Sequence, residues 1–297
     1  MLHRKLSARH RVAANNLNFS LAILTESNDT VNMTTNLIRY LSIERLSTFV
    51  TLTGSQTEAI ALHQETLRLG TLLMTVLAQI EITLRNAICE QLDSHFSGTA
   101  WLLAPPTSLV WAGTENFKIK DAEKNARRAI YSKLTQHQKR ALDAIAFPSG
   151  IPASLSGKIG HKKIVASRQK SIAVSMGQII SQLTFFFWKR LYSTDYDQVL
   201  WQPLKRLFPN KQLKRADIAV QLETLYQCRN RIAHHEPVYG RRLIETIDAI
   251  DFFVANFDGV DADGDRSINK LLANDLALLK TSANSLQTKI NSFKSVP

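Results

Sequence analysis

Cysteine is almost absent from this chain: Cys89 and Cys228 are the only two in 297 residues, far apart and in no CxxC spacing. That excludes a disulfide framework and a thiolate metal site, and it fits a reducing cytoplasm. Eleven glycines and eight prolines are also few. With alternating apolar segments scarce as well, a turn-rich β-sandwich or barrel is excluded and an all-α fold is expected. No apolar run approaches the roughly 18–20 residues of a membrane-spanning helix. The longest candidate, Ile179 to Trp188, is interrupted by Ser181, Gln182 and Thr184, so a soluble chain with no membrane partner is expected.

Acids are outnumbered. Lys and Arg total 37 against 25 Asp and Glu, giving a formal charge of +12 and a pI near 9.8. Such a balance favours a polyanion, nucleic acid or an anionic membrane surface, as partner. The surplus concentrates between residues 114 and 170, where thirteen Lys or Arg face Glu115, Asp121, Glu123 and Asp143. Lys118, Lys120, Lys124, Arg127, Arg128, Lys162, Lys163 and Arg168 are the candidate RNA-binding residues here, since each neutralised phosphate releases condensed counterions. A solvated charged face is the competing reading. Residues 1–35 open with Arg4, Lys5, Arg9 and Arg11 and no acid before Glu26; they read as a variable, disordered extension. Residues 258–297 turn acidic and then amphipathic, an acidic linker and a last helix over 267–293. The calcium-like text Asp261 to Asp265 fails, because Arg266 stands where the loop needs Gly and Leu272 where it needs the bidentate Glu.

Between these ends the apolar spacing is helical. A short helix over 41–52 ends at Gly54; Ser55 and Glu58 have capping-box spacing; and Leu69, Leu73, Val76, Ile80, Leu84, Ala87 and Ile88 form the stripe of a long central helix from Gln56 to about Asp93. Within it Glu81 and Arg85 are four apart in the favourable order, a spacing that a helix-surface ion pair worth a few tenths of a kcal/mol explains slightly better than a site does. Further helices are expected over 114–133 and 135–147. Residues 171–188 carry no charge and read as one buried helix whose Phe185 to Trp188 cluster belongs to the core, with base stacking as the lesser alternative. Short turns broken at Pro203 and Pro209 follow, then a helix over 215–233 and another starting at Pro237, a residue suited to the first helical position.

The densest chemistry lies at the junction of those last two helices, in Cys228-Arg229-Asn230-Arg231-Ile232-Ala233-His234-His235-Glu236-Pro237. At 100° per residue, Ile218, Leu222, Leu225, Arg229 and Ile232 fall within about 40° of one line, which puts Arg229 on the core-facing stripe. A guanidinium there must pair with an acid or face a cavity that admits an anion. His234 lies about 140° away around a straight helix. Glu236 before Pro237 disfavours further α-helix, so an ending over 234–236 could swing the imidazole back, or the two groups meet counterparts across a two-fold axis. A histidine and a fixed arginine suit RNA cleavage by the RNA's own 2′-hydroxyl: the base takes the proton, typically worth about 10² to 10⁴ in rate, and the cation stabilises the dianionic transition state. A structural elbow is equally open. No HxxxH or HExxH spacing exists, so neither a metal nor another cofactor is expected.

The run Arg229 to His234 resembles the R-x4-6-H signature of HEPN domains, including the polar residue after the arginine. The longer text RNRIAHHEPV, with Ile80 to Ile88 and Arg45-Leu46-Ser47-Thr48-Phe49 upstream, resembles the Abi-like (AbiD/AbiF) family of bacterial abortive-infection proteins over residues 36–257. The resemblance implies a multi-helix HEPN-like bundle and a cytoplasmic homodimer in which two such motifs form one composite site. It also implies metal-independent endoribonuclease activity in phage defence or as a toxin, under a phage-derived trigger or an antitoxin. By the same resemblance Arg229 and His234 are the catalytic pair and Asn230 their support, with His235, Glu236, Glu81, Arg85 and Asn86 as further supporting candidates. The competing expectation is a non-catalytic helical protein that binds RNA or senses phage.

Overall fold

Ser42 and Gly54 bracket the first long helix, α1 (Ile43–Thr53). The Ser42 hydroxyl accepts from the Arg45 N–H, and Gly54 closes the last turn at φ 67°, a left-handed conformation that suits glycine. The structure is a computed structural model that describes residues 36–97, 100–155, 157–259 and 264–294. The extension 1–35 and most of the calcium-like stretch lie outside the described residues. Among the described residues every regular element is helical: α2 (Gln56–His95), α3 (Gly113–Lys133), α4 (Gln136–Ala141), α5 (Asp143–Ala146), α6 (Gly157–Lys170), α7 (Met176–Ile180), α8 (Phe185–Arg190), a 3-10 turn (Thr194–Tyr196), α9 (Asp197–Lys205), α10 (Arg215–Ala233), α11 (Arg241–Asn256) and α12 (Ser267–Lys294). The all-α expectation is met.

The long central helix is α2, about 60 Å at 1.5 Å per residue, opened by Ser55, whose hydroxyl accepts from the Glu58 N–H at 3.4 Å. Contrary to the sequence expectation, it is long and apolar enough by composition to cross a membrane. Its stripe argues for a core helix instead, since Leu69, Leu73, Val76, Leu77, Ile80, Leu84 and Ile88 are all buried.

Two compact units divide the chain. The first comprises residues 36–77, 227–248 and 271–294. Its core includes Ile38, Leu46 and Ile60, with Leu37, Leu41 and Val50 packed against them. The C-terminal helix, set apart by composition, contributes buried Leu272, Leu279, Ala283, Leu286 and Ile290, and Lys289 pairs with Glu65 of α2 at 2.6 Å.

The second unit comprises 78–226 and 249–270, and its core is aromatic. Trp101 and Trp111 meet at 6.2 Å across the connection, Trp111 meets Phe187 and Tyr196, and Phe208 packs edge-on against Tyr192, Phe253 and Phe257. Beneath them lies one fully buried carboxylate, Glu115, which receives hydrogen bonds from Arg190 Nε at 2.8 Å and the Tyr196 hydroxyl at 2.9 Å. Tyr196 in turn accepts from the Ala112 N–H at 3.1 Å, so the start of α3 is held by a satisfied polar network.

Local capping revises several boundaries. Residues 171–188 do not form one helix: Ser175 and Gln178 make a capping box that starts α7, and Thr184 opens α8. A second box, Thr135 with Gln138, starts α4, and the helix expected over 135–147 is interrupted at Leu142. Pro203 does not break its helix but lies inside the last turn of α9, where only one internal hydrogen bond is lost. Pro237 does not start the next helix, which begins at Arg241.

Candidate functional site

The end of α10 is built by its own backbone. The His235 N–H donates to the Ile232 carbonyl at 2.9 Å, and the Glu236 N–H reaches back to the Arg231 carbonyl at 2.8 Å. These two bonds define a Schellman stop, in which the residue after the cap turns left-handed. That residue is His235, at φ 57°. Where a hydrophobic contact often accompanies this motif, here Arg231 and Glu236 form an ion pair at 2.8 Å. Arg45 of α1 donates from Nη1 to the His235 carbonyl at 2.6 Å, tying the stop to a helix 190 residues earlier. Beyond it Val238 is buried, Tyr239 packs on Phe49 at 5.4 Å between centroids, and Gly240 at φ 60° leads into α11.

On this elbow His234, His235 and Glu236 are exposed, while Arg229 and Asn230 are half-buried. The buried stripe of α10 runs Ile218, Leu222, Leu225 and then Cys228 rather than Arg229. The last turn therefore rotates its core side toward α11, where the Cys228 thiol hydrogen-bonds Thr246; burial pushes that thiol up to about 11, and Cys89 up to about 12. Both thiols are protonated at neutral pH and are poor nucleophiles.

A left-handed residue other than glycine carries strain of about 1–2 kcal/mol. His235→Gly is accordingly expected to raise unfolding stability by about 0.5–1 kcal/mol, and His235→Val to lower it by about 1–2 kcal/mol. Urea unfolding of both variants checks this. A glycine variant less stable than the parent would contradict the assigned geometry.

No family model, curated protein or solved structure matches this chain.

The other candidates divide between the two units. Arg45 and the elbow belong to the first, and Glu81, Arg85 and Asn86 to the second. Arg85 Nε donates to Asn86 Oδ1 at 3.2 Å, and Asn86 lines a cleft of about 520 Å³ with Thr83, Glu90, Gln91, Phe257 and Asp258. Of the eight basic candidates, Lys118, Lys120, Lys124 and Arg128 are exposed on α3, and Lys162 and Lys163 on α6. The remaining two are held by the protein. Arg127 bonds Glu123 at 2.8 Å and the Ile172 carbonyl at 3.2 Å, and Arg168 grips Asp143 through two bonds of 2.6 Å. Those bonds hold the Asp143 carboxyl below its ordinary range. Among the described residues no three His, Cys, Asp or Glu side chains gather in a group that could hold a metal ion.

One residue near the elbow went unnoticed in the sequence. His63 of α2 is 1% exposed, lies edge-on to Phe49 at 5.8 Å, and has no hydrogen-bond partner at either ring nitrogen. Extending the α2 stripe back from Leu69 through Thr66 would have found its position. Burial, with a smaller contribution from Arg45, lowers its pKa from 6.5. The folded state thus binds fewer protons than the unfolded chain as pH falls below about 6.5, so acid costs stability there and has no such effect above it. His63→Leu should flatten this acid-side loss between about pH 6.5 and pH 5 and be neutral or stabilising by about 1 kcal/mol at neutral pH. Denaturant midpoints across that range test it; an unchanged slope would contradict it.

Proposed function

We propose that this chain is a metal-independent endoribonuclease of the HEPN type, acting as a homodimer in phage defence or as a toxin. The observation that carries the reading is the elbow. A helix stop clamped from α1 exposes His234 four residues beyond half-buried Asn230 and five beyond half-buried Arg229. In this reading His234 removes the proton of a 2′-hydroxyl, the oxygen attacks the adjacent phosphorus, and Arg229 stabilises the charge on the non-bridging oxygens. The P–O5′ bond breaks, the leaving oxygen takes a proton from an acid supplied by the second elbow of the dimer, and a 2′,3′-cyclic phosphate and a 5′-hydroxyl result. Holding both groups beside a rigid stop supplies orientation, which is as much a part of catalysis as pKa.

The exposed cations of α3 and α6 favour a second reading from another class, a silent helical protein that binds RNA or a phage component and signals by assembly. Incubating the purified protein with total RNA separates the two. Cleavage that survives EDTA supports the nuclease. Salt-sensitive binding without new fragments, with or without a phage lysate as trigger, supports the binding protein.

A further inference from the structure

One face of α3 buries Glu115, Ile119, Ala122 and Ala126. At 100° per residue, Phe117, Lys120, Lys124 and Arg128 lie on the diametrically opposite side, within about 60° of the Phe117 direction. Phe117 is 65% exposed, and the three cations are exposed with it. Successive positions are about 4.5, 6 and 6 Å apart along the axis. Of the acids on this helix, Glu123 lies off this face and is engaged by Arg127. Half-buried Asp121, hydrogen-bonded by Asn125 at 3.0 Å, falls about 40° from the Phe117 direction, so the line sets three cations against one carboxylate and stays net positive. The neighbouring Lys118 reaches toward a second accessible ring, its ammonium 5.7 Å from the centroid of half-buried Phe186. Phe186 is thus the one member of the Phe185 to Trp188 cluster that the core does not bury.

We propose that the outer face of α3 is a track for single-stranded RNA, with a base stacked on Phe117 and successive phosphates on Lys120, Lys124 and Arg128. The proposal rests on RNA being the substrate, and it adds the strandedness and the residues that read it. A row of cations alone would bind any polyanion. An aromatic ring exposed at the head of the row adds a stacking surface that only an unpaired base can use, and every base has such a face. Duplex RNA hides its bases in the stack, so for it the same face offers phosphate contacts only.

The test uses the full chain and a fluorescein-labelled 2′-O-methyl oligouridine, which lacks the attacking hydroxyl and is not cut, beside a 2′-O-methyl duplex of equal length. Phe117→Ala should weaken single-strand binding by about 5- to 100-fold and leave duplex binding within twofold, and Phe117→Trp should restore it. Replacing Lys120, Lys124 and Arg128 together by alanine should reduce the slope of log affinity against log salt by about 2 for the single strand. Unchanged single-strand affinity in Phe117→Ala, or equal losses on both probes, would overturn the track. Should wild type nevertheless cut unmodified RNA, the nuclease reading survives that loss. Failure of wild type to bind either probe or cut RNA overturns both.

Discussion

Alanine at His234 is expected to lower RNA cleavage by about 10²–10⁴-fold, the range for loss of a positioned acid or base. Fold should not change, because the side chain is exposed and the strained left-handed position belongs to His235, its neighbour. Thermal stability and oligomeric state of the variant should therefore match the parent, so that lost cleavage cannot be blamed on unfolding. Arg229→Ala should act on the same step through charge. If the two residues work as a unit, the double variant falls no further than the worse single one, since groups that share a transition state are not additive. A double variant whose loss is the product of the two singles would separate Arg229 from the chemistry.

Removing the buried carboxylate should produce the largest change in stability. Glu115→Ala is expected to cost about 3–5 kcal/mol, because it leaves a buried Tyr196 hydroxyl without its acceptor and removes one of the partners of Arg190. Arg190 keeps Asp195, which places the expectation toward the lower figure. The contrast within the same network is Asp195→Ala. Its carboxylate is about half exposed, and an exposed pair contributes about 1 kcal/mol or less. Denaturant unfolding of the two variants side by side decides the matter. Equal losses would mean that burial of Glu115 does not set its worth.

The helices that position the elbow were legible because their signals are local. The Leu69 to Ile88 stripe, the Ser55 start and the Gly54 stop mark α1 and α2, and the end of α10 follows from the Glu236-Pro237 text. Other features depend on partners that spacing cannot reveal. Arg45 meets the elbow across 190 residues, and Arg168 meets Asp143 across 25; the spacing of neither residue names its partner. Glu115 reads as one of four acids in a basic stretch, yet among the described residues it is the carboxylate that the core encloses. His235 gives no hint of a left-handed backbone, because the residue that usually marks that position is glycine. The uncharged run 171–188 misled for a different reason. Composition announced burial, which Phe185, Phe187 and Trp188 obey, but the Ser175-Gln178 box and Thr184 restart the helix inside it.

The central claim is that the elbow performs chemistry, and the chemistry of the product ends tests it most directly. A defined single-stranded RNA incubated with wild type and with His234→Ala in EDTA, followed by analysis of both termini, is the measurement. Wild type should yield 2′,3′-cyclic phosphate and 5′-hydroxyl ends, and the alanine variant at most about one hundredth of them. Equal yields from the two proteins, or 5′-phosphate ends from wild type, would contradict the account.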